Sequence, residues 1–208
     1  MFNTVSIKHL VNILFAFLIL LAALIIAAFV IAEQKAARDR DWVTHTHRVL
    51  TESQAFLGQM INAETGQRGY LLTLDESYLA PYFEGIKQAR SHLSRLQGLT
   101  IDNPIQQSRL ASIVPLMEDK LNELKATIDL TDQDKKEQAL ALVNQHFGKI
   151  KMQNIRQILA EFTEEEKRLL DEHNAKLEAD ITVLHLIEYI AGFLLLAIII
   201  IISRILHK

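Results

Sequence analysis

Glu64 and Arg68 lie four residues apart, so on a helix they share one face and can form an ion pair. Gln67 adds an amide beside them, and Thr65 and Tyr70 add hydroxyls. Such groups either build a polar network that fixes helix register or touch a ligand directly, and the residues leave both readings open. The chemistry they offer is recognition, not catalysis. Elsewhere the serines and threonines have no local base and orienting acid, no glycine loop suits a phosphate, and no histidine pair has metal-binding spacing. The chain has no cysteine, which removes disulfides, thiolate metal sites and thiol nucleophiles. The expectation is a non-enzyme with no catalytic, metal or cofactor-binding residues.

Other ionisable residues fit blander roles. His45 and His47 are two apart, on different helix faces, and are expected to be exposed. His173 falls on an apolar stripe, as a partly buried residue or a pH-sensitive contact. In the run Glu164, Glu165 and Glu166, only Glu166 points towards that stripe. His185 and Glu188 share a face near the start of a long apolar run. Ionisable groups inside a bilayer are functional candidates, whereas a span beginning near Tyr189 leaves both at the headgroup level.

A helix must position residues 62–72. Val49, Leu50, Phe56, Leu57, Met60 and Ile61 step by threes and fours. Continuing the step makes Glu64, Gln67 and Arg68 face the core, before Leu71 and Leu72 restore the stripe. Gly66 and Gly69 in the same turn each cost about 1 kcal/mol relative to alanine. A chain carries that for close backbone approach, a polar network or a site.

This first helix is expected to end at Thr73, with Thr73 and Glu76 at capping-box spacing. A second starts at Pro81, carries Tyr82, Ile86, Ala89, Leu93 and Leu96, and stops at Gly98. Asp102 is the expected N-cap of a third, whose stripe is Leu110, Ile113, Val114, Met117, Leu121, Leu124 and Ile128. Pro115 lies off that stripe. Thr131 or Asp132 caps a fourth, running from Leu142 and Val143 through Met152, Ile155, Leu159 and Phe162, with an irregularity at Gly148.

The fold class is therefore all-α: an up-down-up-down four-helix bundle flanked by two transmembrane helices. The expected segments are a tail at 1–9, a span at 10–32, the bundle at 33–180, a second span at 181–203 and a tail at 204–208. A cleaved signal peptide competes for the first run, but its apolar core is usually about 7–15 residues. Only Asn12 interrupts residues 10–32, a stretch long enough to cross a bilayer. Both tails then share one side. Lys8, Arg204 and Lys208 lean towards the cytoplasm, against Lys35, Arg38 and Arg40 beyond the first span. A net charge of −3 without a basic stripe argues against nucleic acid as a partner. A lone helical pair near the bilayer buries little, so a second copy is expected to complete it as a homodimer.

Residues 63–73, Ala-Glu-Thr-Gly-Gln-Arg-Gly-Tyr-Leu-Leu-Thr, followed by Asp75, Glu76, Ser77, Tyr78, Leu79, Pro81 and Tyr82, resemble the signature of the type-three CHASE domain. Asp102, Asn103 and Pro104, with Gly148, Met152, Ile155, Arg156 and Glu166, fit the same pattern. The resemblance covers about residues 33–179. Leu74 departs from it, since the family often has glycine there. The resemblance implies a helical sensory module outside the cytoplasm of a bacterial cell, in the periplasm or beyond the cell membrane, with output on the cytoplasmic side. It implies no chemistry for Glu64, Thr65, Gln67 or Arg68 and names no ligand. Members usually continue into a kinase or cyclase. This chain stops at Lys208, as a stand-alone sensor signalling to a separate partner or as part of a longer receptor. An accessory protein that docks a periplasmic partner without signalling is the alternative.

Counting from both membrane ends places residues 64–68 level with 79–83, 119–123 and 148–152. Glu64 and Arg68 are expected to form a largely buried pair supported by Asp119, Asn122 or Lys151.

Overall fold

The computed structural model describes residues 4–206, so the expected terminal tails fall partly outside the described residues. Among those residues there is no strand. The helices are α1 (Thr4–Thr73), α2 (Leu79–Leu99), α3 (Pro104–Asp132), α4 (Lys136–Asn144) and α5 (Phe147–Leu206), with a single 3-10 turn at Glu76–Tyr78 before α2. The chain divides into two compact units, Thr44–Leu170 and the combination of Met1–Val43 with Asp171–Lys208. Helices α1 and α5 contribute to both.

The Thr44–Leu170 unit is a helical bundle around one apolar core. In α1 its inward seam is Thr46, Val49, Ser53, Phe56, Met60, Ala63, Gln67 and Tyr70. These alternate steps of four and three, the seam of helices packed at a shallow angle. Residues 106, 110, 113, 117, 120, 124, 127 and 131 of α3 repeat the pattern, as do 152, 155, 159, 162 and 166 of α5. Burying a Leu, Ile or Phe side chain contributes about 1.5–3 kcal/mol, so these seams supply most of the unit's cohesion. The phase differs from the expected one. The inward residue of the first motif turn is Ala63, Glu64 sits at the edge, and Arg68 points out. Val114 is likewise exposed, while Lys120 and Thr127 take seam positions.

Two glycines set how closely α1 and α2 approach. A Cβ on Gly66 would lie 2.7 Å from both the Tyr78 carbonyl oxygen and the Tyr82 amide nitrogen. One on Gly85 would lie 2.8 Å from the Ala63 nitrogen and the Gln59 carbonyl oxygen. Backbone meets backbone here, which accounts for Gly66 in mid-helix.

The helix ends differ from the expected caps. Leu74 closes α1 at φ 60°, its N–H donating to the Tyr70 carbonyl at 2.8 Å. That left-handed conformation costs a non-glycine residue about 1–2 kcal/mol, the physical reason for a glycine preference at this position. Asp75, not Thr73, caps the short turn by accepting from the Ser77 N–H at 2.9 Å. Helix α2 begins at Leu79, with Pro81 in its first turn, where a missing N–H costs nothing. Asn103 rather than Asp102 caps α3, accepting from the Gln106 N–H at 3.2 Å. The expected fourth helix is two. Asp134 at φ 60° separates α3 from α4, and His146 at φ 61° separates α4 from α5. The apolar stripe has a gap between Val143 and Met152, and the break falls within it.

The other unit pairs residues 4–43 of α1 with residues 171–206 of α5. Among its described apolar side chains only Ala36 and Leu184 are buried. Lys35 donates to Asp180 at 2.6 Å, leaving the buried Asp180 Oδ2 without a hydrogen-bond partner. Asp39 lies 3.3 Å from His173 Nδ1, and the Trp42 and His173 rings stack with centroids 5.3 Å apart. Both helices carry a segment long and apolar enough to cross a membrane.

Candidate functional site

The first motif turn meets α3 through a chain of polar contacts. Lys120, with its side chain only 4% exposed, donates to Glu64 Oε1 and to Glu123 Oε2, each at 3.1 Å. Arg68 donates to the same Glu64 oxygen at 2.9 Å, but its side chain is 67% exposed. The buried cation is therefore Lys120, not Arg68. The reason is the seam: Arg68 follows the inward Gln67 and is carried to the outer face. The expected supports Asp119 and Lys151 pair with each other at 2.5 Å instead.

One turn further along α1, the buried Gln67 amide donates to the Thr127 hydroxyl at 2.6 Å, and Thr127 donates to the Leu124 carbonyl at 2.8 Å. Tyr70 donates its hydroxyl to Asp132. That hydrogen bond to a carboxylate raises the phenol above its ordinary pKa. Thr65 is exposed and joins none of these contacts. On α5, Gly148 is buried against the Glu123 carboxylate, which occupies the space a Cβ would need. Glu123 thus lies over the first turn of α5, where the helix dipole favours negative charge.

Above this layer opens a cleft of about 330 Å³. Helix α1 contributes Glu64, Gln67, Arg68, Leu71 and Leu72, and α3 contributes Lys120, Glu123 and Leu124. The far wall is Leu140 and Val143 of α4, with His146 and Lys149 at the α4–α5 junction. Of the residues singled out from sequence, Glu64, Gln67 and Arg68 meet here. Tyr70, bonded to Asp132, and the exposed Thr65 do not line the cleft. Lys120, Glu123 and Lys149 escaped notice because an isolated charge on an amphipathic helix looks like solvated surface. The available signal was Lys120 on the α3 seam, once that seam is counted in alternating steps.

A second polar cluster occupies the same bundle. Gln106 donates to Glu166 at 2.7 Å and to the Phe162 carbonyl at 3.0 Å. Burial raises the Glu166 pKa above the ordinary carboxylate range, although Gln106 and the charge of His45 oppose it. His45, expected to be exposed, is in fact half-buried. Glu52 accepts from His92 at 2.6 Å and from Arg95 at 2.8 Å. Burial alone would raise its pKa, but these two partners outweigh it and hold the carboxyl below the usual range. His185 and Glu188 are exposed on α5 in the other unit. Among the described residues no group of three or more metal-ligating side chains is assembled.

A family model, the CHASE3 domain, matches residues 39–176. The chain belongs to the CHASE3 family. Its CHASE3 segment holds the motif turn, the buried Lys120 and the cleft, and marks this part of the chain as a sensory module. Comparison with curated proteins gives no match. In structure the chain is similar to the sensor domain of histidine kinase HK9 from Rhodopseudomonas palustris, with a TM-score of 0.57 and 24% identity. That likeness covers 61% of this chain and 98% of the other. At such identity it speaks for the fold, a helical sensor bundle, and for nothing finer.

Proposed function

We propose that the chain is a two-pass sensor of the bacterial cell membrane. The CHASE3 bundle stands on the outer side, both termini are cytoplasmic, and a kinase, cyclase or other signalling partner supplies the output. A small ligand or protein partner biases the bundle between two packings, and α1 and α5 carry the shift into the bilayer. One observation carries this reading: each of α1 and α5 holds both a stretch of the CHASE3 segment and an apolar stretch suited to a bilayer. The unit containing Ala36 and Leu184 buries little apolar surface by itself and leaves Asp180 Oδ2 unpaired. Both features favour a homodimer in which a second copy supplies the missing contacts.

A hybrid receptor tests the signalling. The chain is fused at Lys208 to the cytoplasmic part of a histidine kinase, and one to seven residues are inserted after Asn174. Kinase output should vary with the number inserted and return near seven, the repeat of a helical seam. Output indifferent to every insertion would exclude transmission through α5 and favour a docking protein. Since the chain lacks cysteine, Gln138→Cys gives a single label for topology. It should react with a membrane-impermeant thiol reagent in intact spheroplasts, and protection there would reverse the assigned sidedness.

A further inference from the structure

The geometry points to a small organic monoanion with an apolar body, such as a short-chain or aromatic carboxylate, as the ligand of the cleft beside Glu64. This rests on the sensory reading above and specifies the chemistry its site accepts.

Charge comes first. Arg68, Lys120 and Lys149 supply three basic side chains to the cleft, against the two carboxylates Glu64 and Glu123. The buried Lys120 is committed to both carboxylates. Arg68 gives one N–H to Glu64 and keeps the rest of its guanidinium towards solvent. Lys149 is exposed and has no ion pair among the described residues. The surplus is thus one positive charge, held at the mouth by groups free to bind an oxyanion, and Arg68 has the planar fork that suits a carboxylate. A multiply charged anion such as phosphate would meet two fixed carboxylates and leave the cleft's apolar surface unused.

That surface is the second argument. Leu72 is 85% exposed and Leu140 56%, both facing the same cleft as the cations. A ligand body that covers them removes apolar area from water, at about 25 cal/mol per Å². The volume of about 330 Å³ lies at the lower end of small-molecule sites, about 300–1,000 Å³, which suits a metabolite rather than a peptide.

The far wall supplies the third. Helix α4 spans nine residues and buries only Ala139. A ligand on Leu140 and Val143 would rest on this short helix, which is mostly exposed on its outer side and otherwise packs against α3. Its C-terminal end leads through His146 into α5. A ligand bridging Arg68 and Lys149 therefore ties α1 to the start of α5.

The test is calorimetric titration of the full chain in lipid nanodiscs with benzoate, benzamide and inorganic phosphate. Benzoate should bind saturably at one site per chain, and the other two should not. Lys149→Gln should weaken benzoate about tenfold, the loss of one charge-assisted contact, with an unchanged unfolding midpoint in the absence of ligand. Leu140→Gln should weaken it as well. Benzamide binding as tightly as benzoate, phosphate binding more tightly than either, no saturable heat with benzoate, or benzoate binding indifferent to Lys149→Gln would each overturn the assignment. The heat needs no output domain. A cleft that fails this test leaves the insertion pattern of the hybrid receptor intact, whereas a silent hybrid leaves the heat intact.

Discussion

Glu64 and Glu166 are carboxylates held inside the same bundle, and the protein treats them in opposite ways. Glu64 shares the buried Lys120 with Glu123 and takes a further contact from Arg68. Glu166 is buried against the Gln106 amide and feels the charge of His45. In the first cluster the ions satisfy one another. In the second the cost of burying a charge is met only in part, and the carboxyl holds its proton to higher pH. One cluster is held by ion pairs, and the other is open to titration.

Removing the buried cation should have the largest effect. Lys120→Met strands Glu123 and leaves Glu64 only its exposed Arg68 partner, and should destabilise the bundle by about 3–5 kcal/mol in chemical denaturation. Adding Glu64→Gln and Glu123→Gln should recover most of the loss, and failure to recover would mean that Lys120 acts through its packing. Gly66→Ala comes next. Its new methyl meets α2 backbone that has nowhere to yield, so about 1–3 kcal/mol should be lost. A neutral result would show that the α1–α2 distance is not what seats Glu64. Arg68→Ala should cost less than about 1 kcal/mol, because an exposed pair contributes little and Lys120 still neutralises Glu64. A larger loss would shift the structural burden from Lys120 to Arg68.

The smallest effect has the opposite sign and depends on pH. The folded-state pKa of Glu166 is raised, so between the unfolded value, about 4.3, and the raised one the native state binds more protons. Stability must fall as pH rises through that window and remain reduced above it. Glu166→Gln should flatten this slope and raise the unfolding midpoint at neutral pH. Identical pH profiles for the two proteins would erase the contrast between the clusters.

Much of this was legible in the sequence. Helical periodicity gave the all-α bundle and the two bilayer-length apolar runs, and counting along the rods put residues 119–123 and 148–152 near the motif turn. The fault lay in phase. Steps of three and four do not say which of Met60 and Ile61, or of Gln67 and Arg68, turns inward. Only alternating steps sustained over several turns decide that, and they select Gln67. The α4–α5 break is marked only by Gly148, two residues beyond His146, so the sequence shows an irregularity there without showing that it ends one helix and starts another. The cleft was invisible because it is assembled from residues more than 50 positions apart in the chain, such as Glu64 and Lys120.

The stack of Trp42 on His173 has a practical consequence. The sequence contains one tryptophan, so every photon of indole emission comes from this face-to-face pair beside Asp39. An imidazole stacked on an indole changes its emission, so the intrinsic fluorescence of the unmodified protein reads out the separation of α1 and α5 at that level. The molecule carries its own optical gauge, with no dye to attach.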